Sequence, residues 1–101
     1  MPDVKTEKLE MGGKAFTALT VPLAKAPLVM VVSERDASVY LACGYVSVTA
    51  SDKFGDMAAF VSGVKSVPEM LAAKIVNVSK KAEEAGAKEG MTGKAFLEAF
   101  G

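Results

Sequence analysis

Residues Pro27–Cys43 read PLVMVVSERDASVYLAC, two apolar runs on either side of a short polar stretch. The runs are Pro27–Val32 and Val39–Cys43, and Glu34–Ala37 between them has turn-forming composition, so we expect a β-hairpin here. Neither run alternates apolar with polar residues. This pattern predicts strands covered on both faces, in the middle of a sheet or against a neighbouring subunit.

Another hairpin is predicted before this one. Gly12 and Gly13 separate the β-prone runs Val4–Met11 and Lys14–Val21, and two glycines there favour a tight turn with positive φ. The first strand is polar enough to lie at a sheet edge. The second ends at Pro22, because proline cannot donate a hydrogen bond to a ladder.

The segment after Cys43 is expected to contain a short helix and a fifth strand. Val46–Phe54 is assigned to the helix, which Gly55 ends, although its β-branched residues leave a strand as the alternative. Met57–Val61, together with Val64, is assigned to the strand.

Two helices are predicted in the next stretch. Ser66–Glu69 has the composition of a helix start, with a capping hydroxyl, a proline in the first turn and an acid near the positive end of the dipole. A second helix is expected from about Val76 to Ala85, with Asn77 or Ser79 near its start and Gly86 at its end.

The last helix is expected to begin at Thr92 and to pack inward through a stripe of Ala95, Phe96, Ala99 and Phe100. Four strands, a short helix, a strand and further helices define an α+β class. We therefore expect a single domain over residues 1–101. It would have two layers, with a mainly antiparallel sheet of about five strands and three or four short helices.

Composition favours an oligomer. Hydrophobic residues make up 50% of the 101 residues, and the mean hydropathy is +0.28. A domain of this size buries only about 60 to 70% of the surface of its unfolded chain, so some apolar surface is left over. Contacts between copies of the chain would cover it.

Charge and cysteine content limit the kinds of binding partner and the cellular compartment that we expect. There are 12 basic and 12 acidic residues, and Arg35 is the only arginine, which argues against nucleic acid as a partner. The longest apolar run, Leu28–Val32, is far shorter than the roughly 20 residues of a membrane span. One cysteine and a charged stretch over Met1–Glu10 predict a cytoplasmic protein.

The chain contains no histidine. This removes Ser-His-Asp and Cys-His catalysis, acid–base chemistry by imidazole near neutral pH, and most zinc sites. The acidic residues are dispersed and show no calcium-loop spacing. We therefore expect no metal and no cofactor, and a non-catalytic role is favoured over an enzymatic one.

Cys43 is the candidate catalytic residue. It stands at the end of a predicted strand and is followed by Gly44; a helix N-terminus facing it would lower the pKa of its thiol. This supports a thiol-dependent enzyme or a redox sensor. The alternative is that Cys43 packs in the core as a small apolar residue. Tyr40 and Tyr45, on either side, are interpreted as packing residues.

A third possibility is a small-anion or nucleotide-binding protein that uses helix N-termini. Gly90–Lys94 has glycines and a lysine near a helix start, but the spacing of a Walker A loop is missing. Helix capping by Ser66 and Thr92 is the alternative interpretation. The candidate ligand-binding residues are Gly44, Lys65, Ser66, Thr92 and Gly93.

Three elements together resemble the YunC-like family, a bacterial and archaeal domain of unknown function: Ala42–Gly44, Gly63–Val67 with Glu69–Leu71, and Glu89–Ala95. The resemblance implies a small α+β protein whose N-terminal strands take part in a homo-oligomer, a tetramer, and it implies no activity or catalytic residue. Lys65-Ser66 stands where the family pattern would have Arg-Thr, which loses the fork geometry of arginine. Self-association is therefore the leading hypothesis.

Overall fold

The computed structural model describes residues 4–22, 27–35, 38–43, 53 and 55–101. Within these ranges the chain forms one mixed sheet of six strands, in which the spatial order follows the chain order, and three helices. The strands are β1 (Lys5–Met11), β2 (Lys14–Val21), β3 (Leu28–Ser33), β4 (Val39–Ala42), β5 (Met57–Phe60) and β6 (Asn77–Val78). The helices are α1 (Val67–Ala72), α2 (Lys80–Ala85) and α3 (Gly93–Phe100).

Both predicted hairpins are confirmed. β1 pairs antiparallel with β2 through a loop of Gly12 and Gly13, whose φ angles of +58° and +77° lie in the left-handed region that glycine adopts without strain. β3 and β4 form the second antiparallel hairpin. The polar strand β1 lies at the edge of the sheet, as expected.

The sheet is mainly antiparallel, as expected, with six strands rather than about five, and the pairing of β4 with β5 is the exception. This pairing is parallel, with Tyr40 opposite Ala58, whereas the other four pairings are antiparallel. A parallel pair needs a connection of about a dozen residues or more, and residues 43–56 supply it. The helix predicted over Val46–Phe54 lies outside the described residues, except for Lys53, which is helical.

The helix predicted from about Val76 is shorter than expected. Asn77 and Val78 form β6 against β5, and Val76 N donates to Phe60 O at 2.8 Å. Main-chain hydrogen bonds to the open edge of β5 hold these residues in a strand, although their sequence pattern is helical. The helix begins only at Lys80, after the cap Ser79, and ends as predicted at Gly86, which has φ +111°.

The main core lies between the sheet and the helices. On this helix face of the sheet, alternate strand residues are buried, among them Phe16, Val31 and Leu41. All three described helices contribute to it, and its helix residues include Met70, Ala82, Phe96 and Leu97. The stripe predicted for α3 is wrong in part. Phe96 is buried, as predicted, but Ala95 and Ala99 are exposed, and Leu97, which was not part of the predicted stripe, is buried.

The opposite face of the sheet, here called the outer face, carries a second cluster. Tyr40, Ala42, Ala58 and Phe60 are buried there, and Met30 and Val32 pack partly buried against them. The helices α1, α2 and α3 contribute no residue to this cluster. β4 is buried on both faces, as predicted, but β3 is not, because Leu28, Met30 and Val32 are only half-buried. None of the described helices has the length and apolar character needed to cross a membrane.

Gly93, the first residue of α3, lies close against the rest of the core. A Cβ atom at this position would lie 2.5 Å from Leu41 Cδ2 and 2.5 Å from the main-chain oxygen of Met70. Because backbone cannot give way as a side-chain tip can, only glycine allows α3 to begin here.

We expect Gly93→Ala to lower the free energy of unfolding by about 2 kcal/mol, since the new methyl group would force α3 away from β4 and α1. Urea unfolding measures the effect. Gly63→Ala is the comparison: Gly63 has φ +71° but open space around it, so that variant should lose only about 1 kcal/mol. Equal losses in the two variants would contradict the close approach at Gly93.

Candidate functional site

Cys43 packs in the main core and is only 4% exposed. Its N–H donates to Val29 O at 3.2 Å, and Val29 N–H donates to Cys43 Sγ at 3.4 Å. The residue thus continues the pairing of β4 with β3 beyond the end of the strand. This geometry favours the packing interpretation of Cys43 over the thiol hypothesis. Gly44, predicted to lie beside it in a ligand site, lies outside the described residues.

The start of α1 is occupied by the chain's own carboxylate. Glu69 N–H donates to Ser66 Oγ at 3.4 Å, and Glu69 Oε2 accepts from Lys65 N at 3.0 Å and from Ser66 Oγ at 3.2 Å. This is a reciprocal cap of the kind that serine and glutamate form three residues apart. Glu69 therefore holds the position that an external anion would take at Lys65 and Ser66.

The start of α3 is similarly engaged. Thr92 Oγ1 accepts from Ala95 N at 3.1 Å, and Gly93 N donates to Ala73 O at 2.9 Å. Thr92 and Lys94 line a surface groove of about 440 Å³, but Glu98 lines it too and lies 3.9 Å from the ammonium of Lys94. An anion in this groove would meet that carboxylate.

The predicted ligand residues do not converge on one site. Ser66 caps the first turn of α1. Gly93 N donates a hydrogen bond to the main-chain oxygen of Ala73, the residue that caps the last turn of α1. The two helix starts are therefore at opposite ends of α1, a helix of six residues and about 9 Å. Of the predicted ligand residues that the structure describes, Ser66, Thr92 and Gly93 each make a structural hydrogen bond at their own place.

A buried polar network that the sequence did not reveal lies where β4, β5 and α2 meet. The hydroxyl of Ser79, which is fully buried, donates to Asp56 O at 2.7 Å and accepts from Ala58 N at 3.0 Å and Ala82 N at 3.3 Å. Tyr40 Oη donates to Asp56 Oδ2 at 3.0 Å. The parallel pairing is what brings Tyr40 beside Asp56.

The geometry of this network supports a structural role. Ser79 alone satisfies main-chain groups from the start of β5 and the first turn of α2, and Tyr40 fixes the residue before β5. Across the ranges that the structure describes, no three cysteine or acidic side chains are grouped so as to hold a metal ion. In the sequence, the only feature that indicates this network is Ser79, a serine near the start of a predicted helix.

We expect Ser79→Ala to lower the free energy of unfolding by about 3 kcal/mol, because it leaves two buried main-chain donors without an acceptor. Ser66→Ala is the matched control, since Ser66 caps a helix at the surface and its loss should cost about 1 kcal/mol. Chemical denaturation of both variants tests the difference. A smaller loss in Ser79→Ala than in Ser66→Ala would show that the buried network contributes little.

We expect the thiol of Cys43 to react slowly with an aromatic disulfide reagent in the native protein and at once in denaturant, because the side chain is buried in the main core. The labelling rate, followed by absorbance, should rise with urea in parallel with unfolding. Rapid labelling of the native protein below pH 7 would instead favour the thiol-dependent enzyme or sensor.

Comparison with known proteins places this fold in a family. Residues 42–100 match the model of Domain of unknown function (DUF1805), and the chain belongs to that family. It is 33% identical over 89 residues to "Uncharacterized protein YunC" of Bacillus subtilis (strain 168), which covers 84% of this chain and 85% of that protein. The resemblance to YunC-like proteins is thereby confirmed.

A solved structure shares the whole architecture. The crystal structure of a protein of unknown function, TA1206 from Thermoplasma acidophilum, superposes with a TM-score of 0.90 at 31% identity. It covers 99% of this chain, and the match spans 95% of that chain, so the N-terminal strands outside the family model are shared with it. Both relatives are described only as proteins whose function is unknown.

Proposed function

We propose that this protein is a self-associating module whose copies meet through the outer face of the sheet. The observation that carries the proposal is a patch of half-buried apolar side chains on β2 and β3, formed by Leu19, Met30 and Val32. In the register of the sheet, Leu19 lies opposite Met30, and Thr17 lies opposite Val32. We call Leu19, Met30 and Val32 the outer patch.

The outer patch continues an apolar surface across the sheet. Met30 lies opposite Ala42, and Val32 lies opposite Tyr40, so the patch adjoins the buried cluster of β4 and β5. A sheet face that meets water normally carries polar residues at alternate positions. On β3 these positions are apolar, and contact with another protein surface would explain them.

Polar residues border the outer patch on the side of the edge strand. Thr6, Lys8 and Glu10 lie on the same face of β1 and are exposed, and Lys8 bonds to Glu34 at the end of β3. An apolar centre with a polar, solvent-accessible rim is the usual organisation of a protein interface. The outer face therefore has the composition of an interface between folded partners.

Burial within one chain differs between β4 and the two strands that precede it in the sheet. All four residues of β4 are already buried in the protomer, so the unalternated pattern of β4 does not itself require a second copy. Support for self-association comes instead from β2 and β3, where the outer patch keeps part of its surface exposed. The predicted contact thus shifts from the middle of the sheet towards its N-terminal strands.

A second copy is the occupant that the composition favours. A two-fold contact would place each outer patch against its own counterpart, which needs no other complementary surface. The formal net charge of zero means that copies do not repel one another through a net charge. The single cysteine, buried and unpaired, is compatible with the reducing cytoplasm, where we infer that the module works.

We expect Met30→Lys to weaken the assembly, because it places a charge in the centre of the outer patch. Sedimentation velocity of the purified protein over a range of concentrations measures the change in particle size. Ala85→Lys is the control, since it adds the same charge at an exposed position of α2 and should leave the size unchanged. A wild-type protein that sediments only as a 10.5 kDa particle would contradict self-association.

A further inference from the structure

We draw no further inference here: the strongest candidate, the loop of residues 62–65 where the carboxyl ends of the parallel strands β4 and β5 meet the start of α1, carries nothing because α1 has only six residues and no second feature in the described part of the chain points to a ligand at this loop.

Discussion

The parallel pairing of β4 with β5, buried on both faces, is the constraint on which the rest of the structure depends. Leu41 and Ala59 lie side by side in the main core, whereas Ala42 and Phe60 lie side by side in the cluster of the outer face. The two strands are short, so their place in the sheet depends on close packing rather than on a long ladder. Tyr40 and Ser79 reinforce this pairing through Asp56, at the point where β5 begins.

The two faces of the sheet differ in how far burial extends from the pair of β4 and β5. The helices α1, α2 and α3 pack on the helix face and complete the main core, and each is preceded by a serine or threonine whose hydroxyl accepts a hydrogen bond from its first turn. On the outer face, burial is complete at β4 and declines through β3 to the exposed residues of β1. A gradient of this kind explains why self-association is proposed through the N-terminal strands rather than through the middle of the sheet.

Local signals in the sequence were enough for the hairpins and for the starts of α1 and α3, because the responsible interactions lie within a few residues of one another. Gly12-Gly13 and Ser66–Glu69 are of this kind. The parallel pairing, the strand at Asn77–Val78 and the inward turn of Leu97 depend on partners distant in the sequence. The predicted site residues stay apart for a similar reason, since the contact of Cys43 with Val29 and the bond from Gly93 N to Ala73 O join residues distant in the sequence.

In the proposed assembly, one protomer completes its own core and copies add to it afterwards. The most direct test is far-UV circular dichroism and urea unfolding of the wild-type protein, diluted until sedimentation shows single 10.5 kDa chains. We expect those chains to keep their secondary structure and to unfold in one cooperative transition. Loss of structure at the same dilution at which the assembly dissociates would contradict the account, because it would mean that β4 and β5 need a second copy to fold.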